Sequence, residues 1–275
     1  LVSFVILIST FSQASADDWR MMPNWRSTAS EAQSAYFRAG NRFNDLPPRI
    51  QAAMSLAMFS AANAVDGDYS QYLKGLKAPK GADPLLAASA AASHVLLTGF
   101  GDAAKEIVTT RLEKDFDGAD PKVAEASKAL GKAAAKAALA RAAEVVDDNY
   151  PPYKPQTSAG VYITPHMPAF PPSFLDQKPW FLSSRDAVRA DAPPALDSER
   201  WARDFNEVKR LGGKHNSERT KDQEFEALFW VGQRNHILID QIAERRNWSF
   251  LQTARLYAMM EMAINDVTVA VAESK

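Results

Sequence analysis

The sequence predicts an all-α protein built as a helical bundle, and three observations lead to that prediction. Apolar segments follow proline or helix-capping residues and end at glycine, which is how helices commonly begin and end. No segment alternates apolar and polar residues as a half-buried strand does. The 275 residues are 46% hydrophobic and 24% charged, a composition typical of a folded globular protein.

Residues 1–16 are predicted to be part of a secretory signal peptide. The apolar run Leu1–Ile8 is too short to cross a bilayer, and Ala14-Ser15-Ala16 has the small-residue pattern of a cleavage site. Because the initiator Met and the basic first segment are absent, we expect the sequence to begin inside that peptide. The alternative is the start of a buried helix or strand. A signal peptide predicts a periplasmic or secreted protein.

Residues 17–149 are predicted to form an N-terminal helical region. Its clearest helices are expected at residues 49–65, 85–98 and 122–147. Each follows a proline, and Asp83 and Asp120 are placed to cap the second and third helices. Gly67 and Gly99 are expected to end the first two helices.

Residues 150–197 differ in composition from the rest of the chain, because they hold ten of its 16 prolines. Proline cannot continue a helix, but the aromatic side chains among these residues have area to bury. We therefore expect an ordered segment that crosses the helices. A flexible linker between two domains is the alternative.

Residues 198–275 are predicted to be helices that lead into a C-terminal half. Ser198 can cap a helix over 199–211, while Thr220 with Gln223 and Ser249 with Gln252 have the spacing of capping boxes. The last helix is apolar around nearly its whole circumference, so we expect it to be the central helix of the bundle. No glycine, proline or polar tail ends it, and we expect that the sequence is cut there.

Composition excludes several classes of site and partner. The formal net charge is −1 with no long basic run, so a nucleic-acid partner is not expected. With no cysteine, the chain has no disulfide, thiolate metal site or cysteine nucleophile. The four histidines lack metal-ligand spacing. After signal cleavage we expect no membrane span, since Glu261 and Asp266 interrupt the most apolar later stretch.

An ordered set of segments points to a family. The segments are Arg49–Val65 with Tyr69 and Tyr72, Ala87–Leu97, Pro193–Ser198, Phe205–Gly212, Ser217–Gln223, Phe229-Trp230 and Ala254–Lys275. In this order they resemble the N-terminal helical part of the vanadium-dependent haloperoxidase family. That family lies in a superfamily with the type 2 phosphatidic acid phosphatases. No single segment is diagnostic, and the resemblance covers most of the chain from Arg49 onward.

The resemblance implies a helical bundle whose site holds an oxyanion, either vanadate or a substrate phosphoryl group. Lysine, arginine and hydroxyl donors neutralise the oxygens of such an anion, and a histidine is its apical ligand or nucleophile. The family's first site motif is a lysine near the end of a long central helix, and Lys275 stands at that place. The Arg-Pro, Ser-Gly-His and later Arg and His of the family would lie beyond Lys275. We therefore expect the fragment to bind no vanadate and to be inert.

Three functions remain open from the residues. The first is an exported haloperoxidase that uses vanadate, hydrogen peroxide and a halide in its intact form. The second is a soluble acid phosphatase of the same superfamily that hydrolyses phosphate esters through a phosphohistidine. The third is a non-enzymatic helical periplasmic binding protein. The residues also leave open the substrate preference and whether the protein is a homo-oligomer.

Overall fold

A computed structural model describes residues 18–41, 49–146, 158–161, 177–215, 217–231 and 235–274. The helices are α1 (Met21–Arg38), α2 (Ile50–Asp66), α3 (Pro84–Phe100), α4 (Lys105–Asp115), α5 (Pro121–Ala142), α6 (Glu199–Leu211), α7 (Lys221–Val231), α8 (Asn235–Arg246) and α9 (Phe250–Ser274). Short 3-10 helices cover Asp18–Arg20 and Gly101–Ala104. Within the described ranges there is no strand, and the all-α prediction is confirmed.

The core is built around α2, which packs against α3, α5 and α9. Most side chains of α2 are buried, and many of them are alanine or serine. Helix α3 is equally rich in buried alanine and also packs against α5. Small side chains allow helix axes to approach closely, so these helices form a tight centre that the remaining helices surround.

Gly131 marks the closest approach between α3 and α5. A Cβ atom at this position would lie 2.5 Å from the backbone oxygen of Ala87 and 2.7 Å from the backbone nitrogen of Ala91. Glycine costs helix stability, but here its missing side chain makes room for the backbone of α3. The glycine at position 131 is therefore explained by the packing of two helices and not by a helix end.

The predicted helix starts are present with their hydrogen bonds. The side chain of Asp83 accepts from the backbone N–H groups of Leu85 and Leu86, both at 2.9 Å. Asp120 and Ser198 cap α5 and α6 in the same manner. In both capping boxes the two residues exchange bonds reciprocally, as they do between Thr220 and Gln223 in α7. The second capping box lies at the start of α9.

Two predicted helix ends were wrong. Helix α3 runs through Gly99 and ends at Phe100, and the next residue, Gly101, has a positive φ of +57° that favours glycine. Helix α5 ends at Ala142, five residues before the predicted end at 147. Its chain is diverted there because the backbone oxygen of Glu144 accepts from the N–H of Lys178 at 3.0 Å. That bond is made across the fold, so local sequence could not reveal it.

Helix α9 is not the central helix that its composition predicted. One face is buried against α2, α1 and α8, and the opposite face is open to solvent in the described structure. On the open face Met259, Val267 and Val271 are 41%, 60% and 48% exposed. The central position belongs to α2. Although α9 is apolar around most of its circumference, the described residues bury only one of its faces.

Helices α1, α4 and α8 were not predicted individually. Helix α1 begins without a side-chain cap, so no start signal marks it. It is held by Trp25, which is fully buried and donates its indole N–H to Asp115 of α4 at 2.9 Å. Tertiary contact therefore fixes these elements more than local signals do.

The stretch Pro84–Asp115 is long and apolar enough, by length and composition alone, to cross a membrane. The sequence analysis did not single it out. Its most apolar window is 61% buried inside the protein. Burial of this kind is typical of a core helix, so the stretch is weak evidence for a membrane span.

We predict that Gly131→Ala lowers the free energy of unfolding by about 1–3 kcal/mol. Alanine favours the helix by about 1 kcal/mol, but its Cβ would overlap the backbone of α3. Chemical denaturation of the purified protein measures the change. Lys132→Ala, at the next and exposed position of α5, is the control and should change stability by less than about 0.5 kcal/mol. A stabilised Gly131→Ala protein would contradict the close approach.

Candidate functional site

Lys275, the predicted oxyanion ligand, lies outside the described residues, as does His166. Lys275 directly follows Ser274, the last residue of α9. The surroundings of the site are therefore described through the C-terminal part of α9 and the segment that packs on it. This segment, residues 177–190, is called the strap below. It is the described end of the proline-rich region.

Asp266 of α9 holds the strap through its backbone. The side chain is 3% exposed, and its carboxylate accepts from three consecutive N–H groups. Trp180 donates to Oδ1 at 2.7 Å, and Phe181 and Leu182 donate to Oδ2 at 2.7 and 3.1 Å. The neighbouring Asn265 accepts from the indole N–H of Trp180 at 3.0 Å. Charge-assisted bonds of this kind satisfy a buried carboxylate and fix the strap on α9.

Two arginines contact the indole ring of Trp180. The guanidinium groups of Arg49 and Arg141 lie 4.9 and 4.8 Å from the centre of the indole ring. Tyr72 donates its hydroxyl to the backbone oxygen of Trp180 at 3.0 Å. A desolvated cation over an indole face is a favourable contact, so the ring joins the strap to α2 and α5.

Arg49 connects the start of α2 with the strap and with the residues that follow α5. Its backbone is left-handed, with φ of 61°, and its guanidinium donates to the backbone oxygens of Lys178 at 2.7 Å and Glu144 at 3.3 Å. Burial, followed by repulsion from Arg141, lowers the pKa of Arg49 to about 10. The group therefore stays charged at neutral pH and keeps its role as a donor.

A polar cavity of about 290 Å³ lies where α9 ends. Its polar lining includes Ser183, Ser184, Arg185, Asp186 and Arg189 of the strap together with Glu273 of α9. Arg189 forms a two-point ion pair with Glu273, in which Nε donates to Oε2 at 3.0 Å. This hydrogen bond lowers the pKa of Glu273. The strap is thus joined to α9 a second time, near Lys275 in sequence.

An apolar cavity of about 520 Å³ lies beside the polar one. Its lining is Phe181, Leu182, Val188 and Ala190 of the strap and Ala263, Asp266, Val267, Ala270 and Val271 of α9. Leu182 contributes to both cavities. The C-terminal half of α9 therefore separates an apolar space from a charged one.

The donors of the polar cavity fit an oxyanion in kind. The hydroxyls of Ser183 and Ser184, the guanidinium of Arg185 and the ammonium of Lys178 are groups that bind oxyanions in proteins. Two of them already have acidic partners, since the Ser184 hydroxyl bonds to Asp186 and Lys178 pairs with Glu144. Asp186 and Glu273 also line the cavity, and their negative charges oppose an anion there. A complete oxyanion cage therefore needs further cationic donors.

The described histidines do not take part in this arrangement. His94 lies on α3, His215 follows α6 and His236 lies on α8, and none lines either cavity. Among the described residues no group of three or more His, Cys, Asp or Glu side chains is placed to hold a metal ion. An apical histidine would therefore have to come from elsewhere.

A second polar cluster lies where α1, α8 and α9 meet. Tyr257 donates its hydroxyl to Asp240 at 2.6 Å, and burial raises the pKa of both groups. Glu261 lies one turn after Tyr257 on α9, and its burial raises its pKa against the attraction of Arg26. This cluster joins helices that pack by their apolar faces, and it lies apart from the strap.

No protein-family model matches the chain, and no curated protein matches its sequence. Among solved structures it is similar to the one titled as the first bacterial vanadium-dependent iodoperoxidase, with a TM-score of 0.67 at 19% identity. The match covers 90% of this chain and 68% of that chain. At this identity the similarity shows a shared fold. It supports the fold relationship that the resemblance predicted.

The sequence analysis found the end of α9 and missed the residues that organise it. Arg49 was read as the start of a helix and Trp180 as one of several aromatic residues. The sequence indicates Asp266 as a charge that interrupts an apolar stretch and as part of the last segment of the resemblance, without its bonding partners. An acidic residue inside the most apolar helix was the available signal, because such a charge needs several donors when it is buried.

We predict that Arg49→Lys lowers the free energy of unfolding by about 1–3 kcal/mol. An ammonium group cannot donate in the planar fork that reaches two backbone oxygens and also lie over the indole ring. Denaturant unfolding measures the change. Arg255→Lys, where an exposed guanidinium lies over Tyr69, is the control and should stay within about 0.5 kcal/mol. Equal losses in the two variants would refute the proposed importance of Arg49.

We predict that Glu261→Gln makes the protein more stable than wild type at pH 8 and equally stable near pH 4. Because burial raises the folded-state pKa of Glu261, its contribution to stability is present below the unfolded-state pKa and is lost as pH rises. Glutamine does not ionise, so the variant does not lose this stability as the pH rises. Unfolding free energies across pH measure it, with the exposed Glu125→Gln on α5 as the control. A Glu261→Gln protein without a pH-dependent gain would show that the carboxyl is well solvated.

Proposed function

We propose that this chain supplies the N-terminal helical scaffold of an exported enzyme of the vanadium-dependent haloperoxidase type. In its intact form the enzyme would oxidise a halide with hydrogen peroxide, consuming a proton and forming a hypohalous acid and water. The observation that carries the proposal is the fold shared with a bacterial vanadium-dependent iodoperoxidase over 90% of the chain. That protein is an iodoperoxidase, so we prefer peroxide-dependent oxidation to phosphate-ester hydrolysis.

Lys275 is the residue of this chain that would hold vanadate directly. Its ammonium group would neutralise an oxygen of the anion. Bound vanadate would act as a Lewis acid that activates hydrogen peroxide for oxidation of the halide. The remaining ligands that the resemblance implies would come from residues that follow Lys275.

The described residues would act as a support for that site. Asp266 and Glu273 hold the strap on α9 at two points. The buried α2, α3 and α5 give α9 a rigid surface to pack on. Rigid elements position a binding site more accurately than loops do. The proposal therefore assigns binding to the end of α9 and support to the bundle.

We predict that Lys275→Ala weakens vanadate binding by about 10- to 100-fold in the protein expressed from the complete gene. The reason is the loss of a charge-assisted bond to an anion that is shielded from water. Titration calorimetry with orthovanadate measures the dissociation constant. Lys136→Ala, on the exposed side of α5, is the matched control and should bind as wild type does. Unchanged affinity in Lys275→Ala would remove the one site assignment made for this chain.

Activity assays on the same complete protein test the reaction class. We expect vanadate- and peroxide-dependent oxidation of iodide or bromide, followed by halogenation of a dye. Turnover of a phosphate ester that vanadate only inhibits, without halide oxidation, would replace the peroxidase proposal by the acid phosphatase. A protein without either activity and without oxyanion affinity would favour the non-enzymatic binding protein.

A further inference from the structure

We propose that Asp266 is a positioning residue that keeps the strap in register with the end of α9 and thereby maintains oxyanion affinity there. The second half of this statement rests on the proposed function. The first half rests only on the described contacts. Asp266 itself does not line the polar cavity, so its effect would be transmitted by the strap.

Both carboxylate oxygens of Asp266 are needed for the arrangement. Oδ1 accepts from the N–H of Trp180, while Oδ2 accepts from those of Phe181 and Leu182. A carboxamide of the same size has one acceptor oxygen and would present an NH₂ group to the remaining backbone donors. At least one buried N–H would then lose its partner, which is costly away from water. Asp266→Asn therefore removes one acceptor oxygen with almost no change in side-chain volume.

The strap is joined to α9 at two points that enclose the polar donors. Asp266 lies roughly two helical turns before the end of α9, and Glu273 lies in its last turn. Between the two attachments the strap carries Ser183, Ser184 and Arg185, all of which line the polar cavity. Loss of the Asp266 bonds would remove the attachment to α9 that directly precedes these donors in the strap.

A purely stabilising role explains this arrangement poorly. Burying a carboxylate costs free energy that apolar packing at the same place would not incur, so a buried charge is weak evidence for stability alone. The carboxylate instead fixes the position of three consecutive backbone groups. Hydrogen bonds are directional, so they fix the position of the strap along α9. Apolar contacts alone would allow the strap to shift along the helix. Position is also what a row of donors at an oxyanion site requires.

The test compares wild type, Asp266→Asn and Leu130→Ala in the protein expressed from the complete gene. Leu130 is buried on α5 away from the strap, so its truncation lowers stability without touching the site. Hydrogen exchange of residues 180–190 reports the strap, and calorimetry with orthovanadate and inorganic phosphate reports the site. For Asp266→Asn we expect faster exchange in the strap and a dissociation constant raised by about 10- to 100-fold. Leu130→Ala should keep the affinity within about twofold.

The outcomes separate the two claims. If exchange in the strap is unchanged in Asp266→Asn, the attachment by Asp266 is refuted. If the strap loosens while oxyanion affinity stays at the wild-type value, the positioning role is refuted and the proposed function stands. If wild type binds neither anion, the proposed function fails, together with the affinity half of this inference, while faster exchange still supports the attachment.

A milder variant covers the case in which Asp266→Asn does not fold. Asn265→Ala removes only the acceptor for the indole N–H of Trp180 and leaves the carboxylate in place. We expect a smaller increase of exchange in the strap and a smaller loss of affinity, in the same direction. If Asn265→Ala matched wild type in both measurements, the inference that strap position controls the site would be overturned.

Discussion

The close packing of α2 against three other helices is the constraint on which the rest of the structure depends. Alanine and serine fill the buried faces of α2 and α3, and Gly131 lets α5 approach the backbone of α3. Because interiors are packed as densely as crystals, such a centre cannot shift gradually. The surfaces that α2 and α5 present to the strap and to α9 are therefore fixed in relation to one another.

The strap uses those fixed surfaces through polar contacts. Arg49 at the start of α2 and Arg141 at the end of α5 both contact the indole ring of Trp180, and Asp266 of α9 accepts from its backbone N–H. Three helices that are far apart in sequence thus meet at one tryptophan. The end of α9 derives its geometry from this meeting, which connects the packing of the centre with the proposed site.

The shared fold supports the proposed chemistry, but the described residues do not make up a complete oxyanion site. Hydroxyl and guanidinium donors at the end of α9 are of the right kind for an oxyanion, but Asp186 and Glu273 lie among them. The open apolar face of α9 and the exposed aromatics Phe225 and Trp230 of α7 form surfaces that the described residues leave uncovered. Under the proposed function, the described residues would support a site that further donors complete.

The sequence by itself determined the all-α class, the capped starts of α3, α5, α6, α7 and α9, and the end of α2, because caps and turns depend on neighbouring residues. It did not reveal α1, the early end of α5 or the one-sided burial of α9. Only the tertiary structure decided these features, together with the partners of Asp266 and Trp180. Their physical cause is contact between residues that are far apart in the chain, which leaves no local pattern in the sequence.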